Sequence, residues 1–190
     1  MENSFLSKDE LMEMGFRRLG NDVRISRKAS FFQAGHISVG DHVRIDDFCI
    51  LSGDITLGSC IHISAYTALY GRFGIEVGNF ATISGRVLIY SQNDDYSGAF
   101  MTNPMVPEEF THITGGKVTL EKHVIIAAGS VLLPGITLRE GSCLGAMSLL
   151  KRDTDAWSIY TGIPAKMMGP RERNILELER QFYLKYGPLP

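Results

Sequence analysis

An aliphatic residue recurs at every sixth position over most of this chain, and that period excludes the common folds. The series runs Val39, Ile45, Leu51, Leu57, Ile63 and Leu69, slips by two residues across Gly71-Arg72-Phe73-Gly74, and resumes at Val77, Ile83 and Ile89. After a gap it returns as Leu120, Ile126, Leu132, Leu138, Leu144 and Leu150. A helix repeats near every 3.6 residues and a half-buried strand every second residue, so neither accounts for it. A companion set keeps the same spacing: Val43, Cys49, Ile55, Ile61 and Thr67, then Val118, Val124, Ser130, Ile136, Ser142 and Ser148.

A hexapeptide period is the signature of a β-solenoid. Each unit is a short strand and a corner, both sets point inward, and small residues near the corners let the chain turn. Three sides make a triangular coil of about eighteen residues, and stacked coils pair their strands ~4.8 Å apart. The expectation is an all-β parallel β-helix of five to six coils. Ile25, Phe31 and Ile37 hold the spacing and mark a less regular first coil. At 190 residues, the chain reads as one domain with appendages. These are an N-terminal helical segment at 1–20, a first β-helix half at 21–90, a loop excursion at 91–117, a second half at 118–165 and a C-terminal helix at 166–190.

The ends carry helix signals. Ser7 and Glu10 form a capping box, Leu6 and Leu11 can staple it, and Gly15 ends a helix over about 8–14. Ile175, Leu178 and Phe182 lie at helical spacing among Arg171, Glu172, Glu177, Glu179 and Arg180, which predicts an amphipathic helix with that apolar stripe packed down. Its charges are mixed, so a membrane-surface role is not expected. A net charge of −2 implies no nucleic-acid patch. There is no apolar run of spanning length, and the N-terminus does not read as a signal peptide. Three unpatterned cysteines, Cys49, Cys60 and Cys143, point to free thiols in a cytoplasmic protein.

The hexapeptide repeat, the mid-solenoid excursion and the segment Tyr160-Thr-Gly-Ile-Pro-Ala-Lys166 together resemble the hexapeptide-repeat acyltransferases. The resemblance covers roughly 20–170 and is nearest to the sugar acetyltransferase branch, in particular the enzymes acting on nucleotide-linked 4-amino-4,6-dideoxyhexoses in bacterial surface-glycan synthesis. It implies a left-handed helix, a homotrimer, and acetyl-CoA as co-substrate with no metal. It also implies a cofactor groove along the C-terminal coils, where Ala128, Ala146, Lys151 and Lys166 would contact acetyl-CoA and Arg171 is a further phosphate candidate. Ala128 and Ala146 are eighteen apart, so they stack on adjacent coils.

The excursion, YSQNDDYSGAFMTNPMVPEEFTHITGGK, is too long to be passive. Many sugar O-acetyltransferases of the family place a histidine base where this chain enters the loop, but here Asn93 stands there, followed by Asp94 and Asp95. An amine acceptor with a pKa of ~8 is partly neutral at pH 7 and needs less activation than a hydroxyl. Asp94 and Asp95 can orient it and hold its ammonium form, although Asn-Asp-Asp is also a good turn former.

Among the five histidines, His62 and His123 are the active-site candidates, the first on an outward sheet face beside Ser64 and Tyr66, the second at a corner after the excursion. Arg86 is a candidate for a sugar-nucleotide phosphate. His36 and His42 read as surface, and His112 lies in the loop.

The leading expectation is therefore a sugar N-acetyltransferase. A sugar O-acetyltransferase using His62 or His123 as base is the alternative. A zinc-dependent β-helical hydratase and a non-catalytic scaffold are more remote, the first because the histidines show no paired-ligand spacing.

Overall fold

A computed structural model of the chain describes residues 4–189. Every member of both hexapeptide series is buried. The register shows why. Leu57 pairs with Val77, Val77 with Leu120 and Leu120 with Leu138, so equivalent positions stack coil upon coil in parallel. Two polar members of the inner set satisfy themselves on the next coil: the Thr67 hydroxyl donates to the Ser84 carbonyl at 2.9 Å, and the Ser130 hydroxyl donates to that of Gly145 at 2.9 Å.

Three faces enclose this core. One contains Ile37–Val39, Val118–Leu120 and Thr137–Leu138; the second contains Val43–Ile45, Ile61–Ile63, Thr82–Ile83, Ile125–Ile126 and Cys143–Leu144; the third contains Ser30–Phe32, Leu88–Tyr90, Val131–Leu132 and Leu149–Leu150. The long strands Ile50–Leu57 and Ala68–Val77 run around the corner from the third face to the first. Gly53 pairs with Gly71 but Ile55 with Ile75, so the phase slip in the sequence is a two-residue bulge at this corner. In the irregular first coil Phe31 is only partly buried, its ring 5.2 Å from Phe16 in a T-shaped pair.

The corners differ from expectation. The turning residue is often large: Phe48, Tyr66, Phe80, Arg86, Met147 and Trp157 all take left-handed backbone, with φ between 55° and 64°. Such a conformation costs roughly 1 kcal/mol or more for a non-glycine residue. It is held because the corner amides of Tyr66, Phe80, Arg86, Met147 and Trp157 reach the coil below, as Tyr66 N does to the Asp47 carbonyl (3.0 Å) and Met147 N to that of Ala128 (2.9 Å). Small residues such as Ala65, Gly85 and Ala146 sit one position earlier, and the side chains of Phe48, Tyr66, Arg86 and Met147 point out to line the edge, while Trp157 is buried.

Helix α1 spans Lys8–Glu13 with the full Ser7/Glu10 capping box. The chain from 166 does not enter a helix at once: Ala165–Pro170 returns antiparallel along Ser158–Gly162, turning at Gly162-Ile163-Pro164. Proline at 170 has no amide to extend the pairing. Helix α2 then spans Ile175–Tyr186. Its inward side keeps Ile175 and Phe182 of the expected stripe but not Leu178. Leu178 is 62% exposed, and Glu179 is the buried residue of the helix. The reason is an ion cluster under the helix, described below.

Candidate active site

The excursion leaves at the corner between the third and first faces, and its root is clamped. Ser91 N and Ser91 Oγ both donate to the Tyr70 carbonyl (3.0 and 2.9 Å), and Phe73 N donates to Ser91 Oγ at 2.9 Å. Gln92–Asn93 pairs antiparallel with Thr114–Gly115. Gly115 is required there, since a Cβ would lie 2.3 Å from the Ser91 carbonyl oxygen and 2.4 Å from the Phe73 ring. This clamp presents Asp94 at the exposed edge, on two depressions of about 300 and 320 Å³. No hydrogen bond or ion pair engages its carboxylate among the described residues.

Asp95 is placed differently. It accepts from the Ser97 hydroxyl (2.9 Å), Gly98 N (2.9 Å) and Phe100 N (3.3 Å). The Ser97 hydrogen bond, with those backbone amides, holds its carboxyl below the ordinary carboxylate range. Asp95 thus shapes the loop, as the turn-forming composition allowed, and Asp94 is the free group.

At the corner between the second and third faces lies a column. Ser64 and Ser84 stand on consecutive coils, followed upward by Ala127 and Gly145, and the next row beside them runs Ala65, Gly85, Ala128 and Ala146. Tyr66 stacks on Phe48 with centroids 5.0 Å apart, and the Arg86 guanidinium lies 5.9 Å from the Tyr66 ring. Ser84 was not singled out from the sequence. Its position, directly above Ser64 on the coil preceding the excursion, is the signal that was available.

Lys151 and Lys166, distant in sequence, are brought together. With Arg152 and Tyr160 they line a depression of about 310 Å³ beside the Pro164 turn. Among the described residues no carboxylate pairs with Lys151, Arg152 or Lys166. Three unpaired cations on one concave surface suit a phosphorylated ligand.

Two candidates stand elsewhere. The His123 side chain is 7% exposed, its Nε2 2.7 Å from Glu179 Oε2 on α2, with Lys122 Nζ 2.5 Å from Glu179 Oε1. Phe80 stacks on its ring at 5.2 Å, closing it in. Burial works to raise the Glu179 carboxyl, but the hydrogen bonds from Lys122 and His123 outweigh it and hold the group below its usual range. Arg171 donates from Nη1 to the His123 and Gly141 carbonyls at 2.8 and 2.9 Å, so it anchors the chain end. Neither residue reaches the depression of Lys151 and Lys166.

His62 does face outward, half-exposed, with Nε2 2.8 Å from Asp46 Oδ2. Burial raises the Asp46 carboxyl, and the bonds from His62 and Arg44 overcome this to leave it lowered. His42 pairs with Asp22 at 3.1 Å, and the His112 ring lies 5.0 Å from Phe100. Among the described residues no three His, Cys, Asp or Glu side chains converge as a metal-binding group.

Comparison with known proteins decides the family. No family model matches the chain. It is 46% identical over 182 residues to the dTDP-4-amino-4,6-dideoxy-D-glucose acyltransferase of Escherichia coli, covering 94% of this chain and 95% of that protein. The chain belongs to the hexapeptide-repeat sugar acyltransferases. Its solenoid is accordingly the left-handed parallel β-helix of that family, and the protein is an acyltransferase. The N-acyltransferase AntD from Bacillus cereus is 48% identical, covers 98% of this chain with all of its own, and superposes with a TM-score of 0.95 in its complex with dTDP and 3-hydroxybutyryl-CoA. AntD has also been solved as an S84C mutant with dTDP-4-amino-4,6-dideoxyglucose and coenzyme A (47% identity, TM-score 0.94, 97% of this chain and 100% of that one) and as a D94N mutant with dTDP and coenzyme A.

Proposed function

We propose that the protein transfers an acetyl group from acetyl-CoA to the 4-amino group of a dTDP-linked 4-amino-4,6-dideoxyhexose. The observation that carries this is the partnerless Asp94 carboxylate at the clamped root of the excursion, in a chain sharing nearly half its residues with enzymes of that description. The same residue types that were varied in AntD, a serine and an aspartate, stand at 84 and 94 here.

The chemistry needs little base strength. The neutral amine attacks the thioester carbonyl carbon, the C–N bond forms, the C–S bond breaks, and coenzyme A leaves as its thiol. Asp94 holds the amine in place and accepts the proton that the nitrogen sheds once the C–N bond has formed, and a proton passes to the departing thiolate. Lys151, Arg152 and Lys166 hold the coenzyme phosphates at the far end of the solenoid, and the small residues at Ala128 and Ala146 leave room for its pantetheine arm. Ser64, Ser84, Tyr66, Arg86 and Asn93 belong to the acceptor side. The exposed apolar groups of the excursion, among them Tyr96 and Met105, are what a neighbouring copy would cover in a homotrimer. Free cysteines and both proposed substrates fit a cytoplasmic enzyme.

Thiol release from acetyl-CoA, measured against a panel of amino and hydroxy sugar nucleotides, tests the reading. The expected result is highest kcat/KM on dTDP-4-amino-4,6-dideoxyglucose; preference for its 4-hydroxy analogue would overturn it. One observation favours a second reading, O-acetylation: the His62–Asp46 pair has the geometry of a general base oriented by a carboxylate.

A further inference from the structure

Three depressions meet along the excursion root, and Gln92 lines all three. Its backbone is fixed by the clamp at Ser91 and by pairing with Gly115. Its side-chain oxygen, Oε1, is buried and has no hydrogen-bond partner among the described residues. An acceptor of this kind is normally paired, and one left open in a rigid setting asks for a donor from outside the chain.

Gln92 and Asp94 are two residues apart along extended chain, so their side chains project to the same side. Both line the same two depressions, and neither the Gln92 Oε1 nor the Asp94 carboxylate has an internal donor among the described residues. The nearest cation of these walls, Arg72, is directed to Glu108 at 3.6 Å.

We propose that Gln92 Oε1 and the Asp94 carboxylate together take the two N–H bonds of the acceptor amine, and that Gln92 is a specificity-determining residue for amines over hydroxyls. The inference rests on the N-acyltransferase reading above. A neutral primary amine carries two hydrogens and one lone pair. With each hydrogen engaged by an acceptor, the lone pair is left in one direction, toward the thioester carbon, and orientation of this sort is a large part of rate enhancement in transfer reactions. A hydroxyl brings one hydrogen to the same two acceptors. One of them stays unpaired, and a site built for a hydrogen bond discriminates strongly against a ligand that cannot make it. Gln92 thereby supplies a selectivity that Asp94 alone does not, because a single carboxylate accepts from either donor.

The test compares wild type, Gln92→Met and Gln92→Glu on dTDP-4-amino-4,6-dideoxyglucose and on its 4-hydroxy analogue, with acetyl-CoA saturating and thermal midpoints recorded for each protein. Met keeps the length without the acceptor, and Glu keeps an acceptor oxygen. Gln92→Met is expected to lose about 10²-fold in kcat/KM for the amine, with the small hydroxyl activity unchanged and KM for acetyl-CoA unaltered. Its midpoint should not fall, since an unpaired buried oxygen has been removed. Gln92→Glu should keep most of the amine preference. Unchanged amine kinetics in Gln92→Met would overturn the inference. So would equal losses on both acceptors with a lowered midpoint, the mark of a structural role. If wild type itself does not acetylate the amine, the N-acyltransferase reading falls and takes this inference with it; an active wild type with an unresponsive Gln92→Met variant removes the inference alone.

Discussion

Glu179 Oε2 lies 2.7 Å from His123 Nε2, and this contact seats helix α2 on the solenoid. Lys122 closes the other carboxylate oxygen, and Phe80, Phe182 and Tyr183 wall the cluster. The Glu179 carboxyl is held below its ordinary value of 4.5, so the folded state favours the ionised form. That stabilisation is complete above the unfolded value and is lost as pH falls below about 4.5 toward the folded one. Glu179→Leu should cost about 3 kcal/mol, by leaving Lys122 without its counter-charge and the His123 ring nitrogen without its hydrogen-bond partner, and should erase the acid-linked component. Urea denaturation across pH 3–7, followed by Trp157 fluorescence, measures both. A variant as stable as wild type throughout would show that the cluster does not hold the helix.

The core prediction concerns Leu57, 2% exposed and paired in register with Val77. Leu57→Asp buries a carboxylate among aliphatic rungs with no partner, at a cost of several kcal/mol. Loss of soluble, cooperatively folding protein is expected. A fully stable variant would contradict the inward assignment.

For the cofactor end, Lys166→Ala should weaken acetyl-CoA binding by roughly 1–3 kcal/mol if a charge-assisted phosphate contact is lost. Lys151→Ala should act in the same direction, because both cations line one depression. Acceptor preference should not change. Calorimetric titration with coenzyme A checks this, and unaltered affinity in both variants would remove the depression from the cofactor site.

At the acceptor end the two adjacent aspartates should separate. Asp94→Asn is expected to raise the acceptor KM and lower kcat, with rate still rising toward an acceptor pKa of ~8. Asp95→Asn should leave the chemistry in place and loosen the loop, since its oxygens bind Ser97, Gly98 and Phe100. His62→Ala should retain substantial activity. A loss of 10²–10⁴-fold in that variant, with normal coenzyme binding, would favour the O-acetyl reading instead.

The solenoid was legible because its period is enforced by burial at every rung, and even the bulge at Gly71–Gly74 showed as a slip in phase. Corner chemistry was less legible. A left-handed turn can be held by stacking hydrogen bonds as well as by glycine, so Tyr66, Phe80 and Trp157 gave no sign of turning the chain. Helix α2 was found, and its inward side only in part, since Ile175 and Phe182 turn in but Leu178 does not. A stripe of Ile175, Leu178 and Phe182 is the natural choice by hydrophobicity, and only the Lys122 charge and the His123 ring nitrogen, the latter 56 residues away in sequence, explain why Glu179 takes the place of Leu178. The same long-range pairing withdrew His123 from the candidate site. The convergence of Lys151 with Lys166 depends on the antiparallel return after Pro164, which no repeat pattern announces. Gln92 was passed over because an unanswered acceptor is visible only once its surroundings are built.

Stacked rungs also make distance a counted quantity. Tyr90, Leu133 and Lys151 follow one another on the third face, carried there by the pairing of Ile89 with Leu132 and of Leu132 with Leu150. The acceptor end at the excursion root and the cationic end therefore lie two strand spacings apart along the axis, about 10 Å. Adding or deleting one eighteen-residue coil between them would change that separation by a single step of ~4.8 Å and by nothing smaller. An acyl donor of fixed arm length reads the solenoid as a ruler with one graduation per coil, so length variation in this family should fall in the excursion, outside the interval from Val118 to Lys151, or come in whole coils.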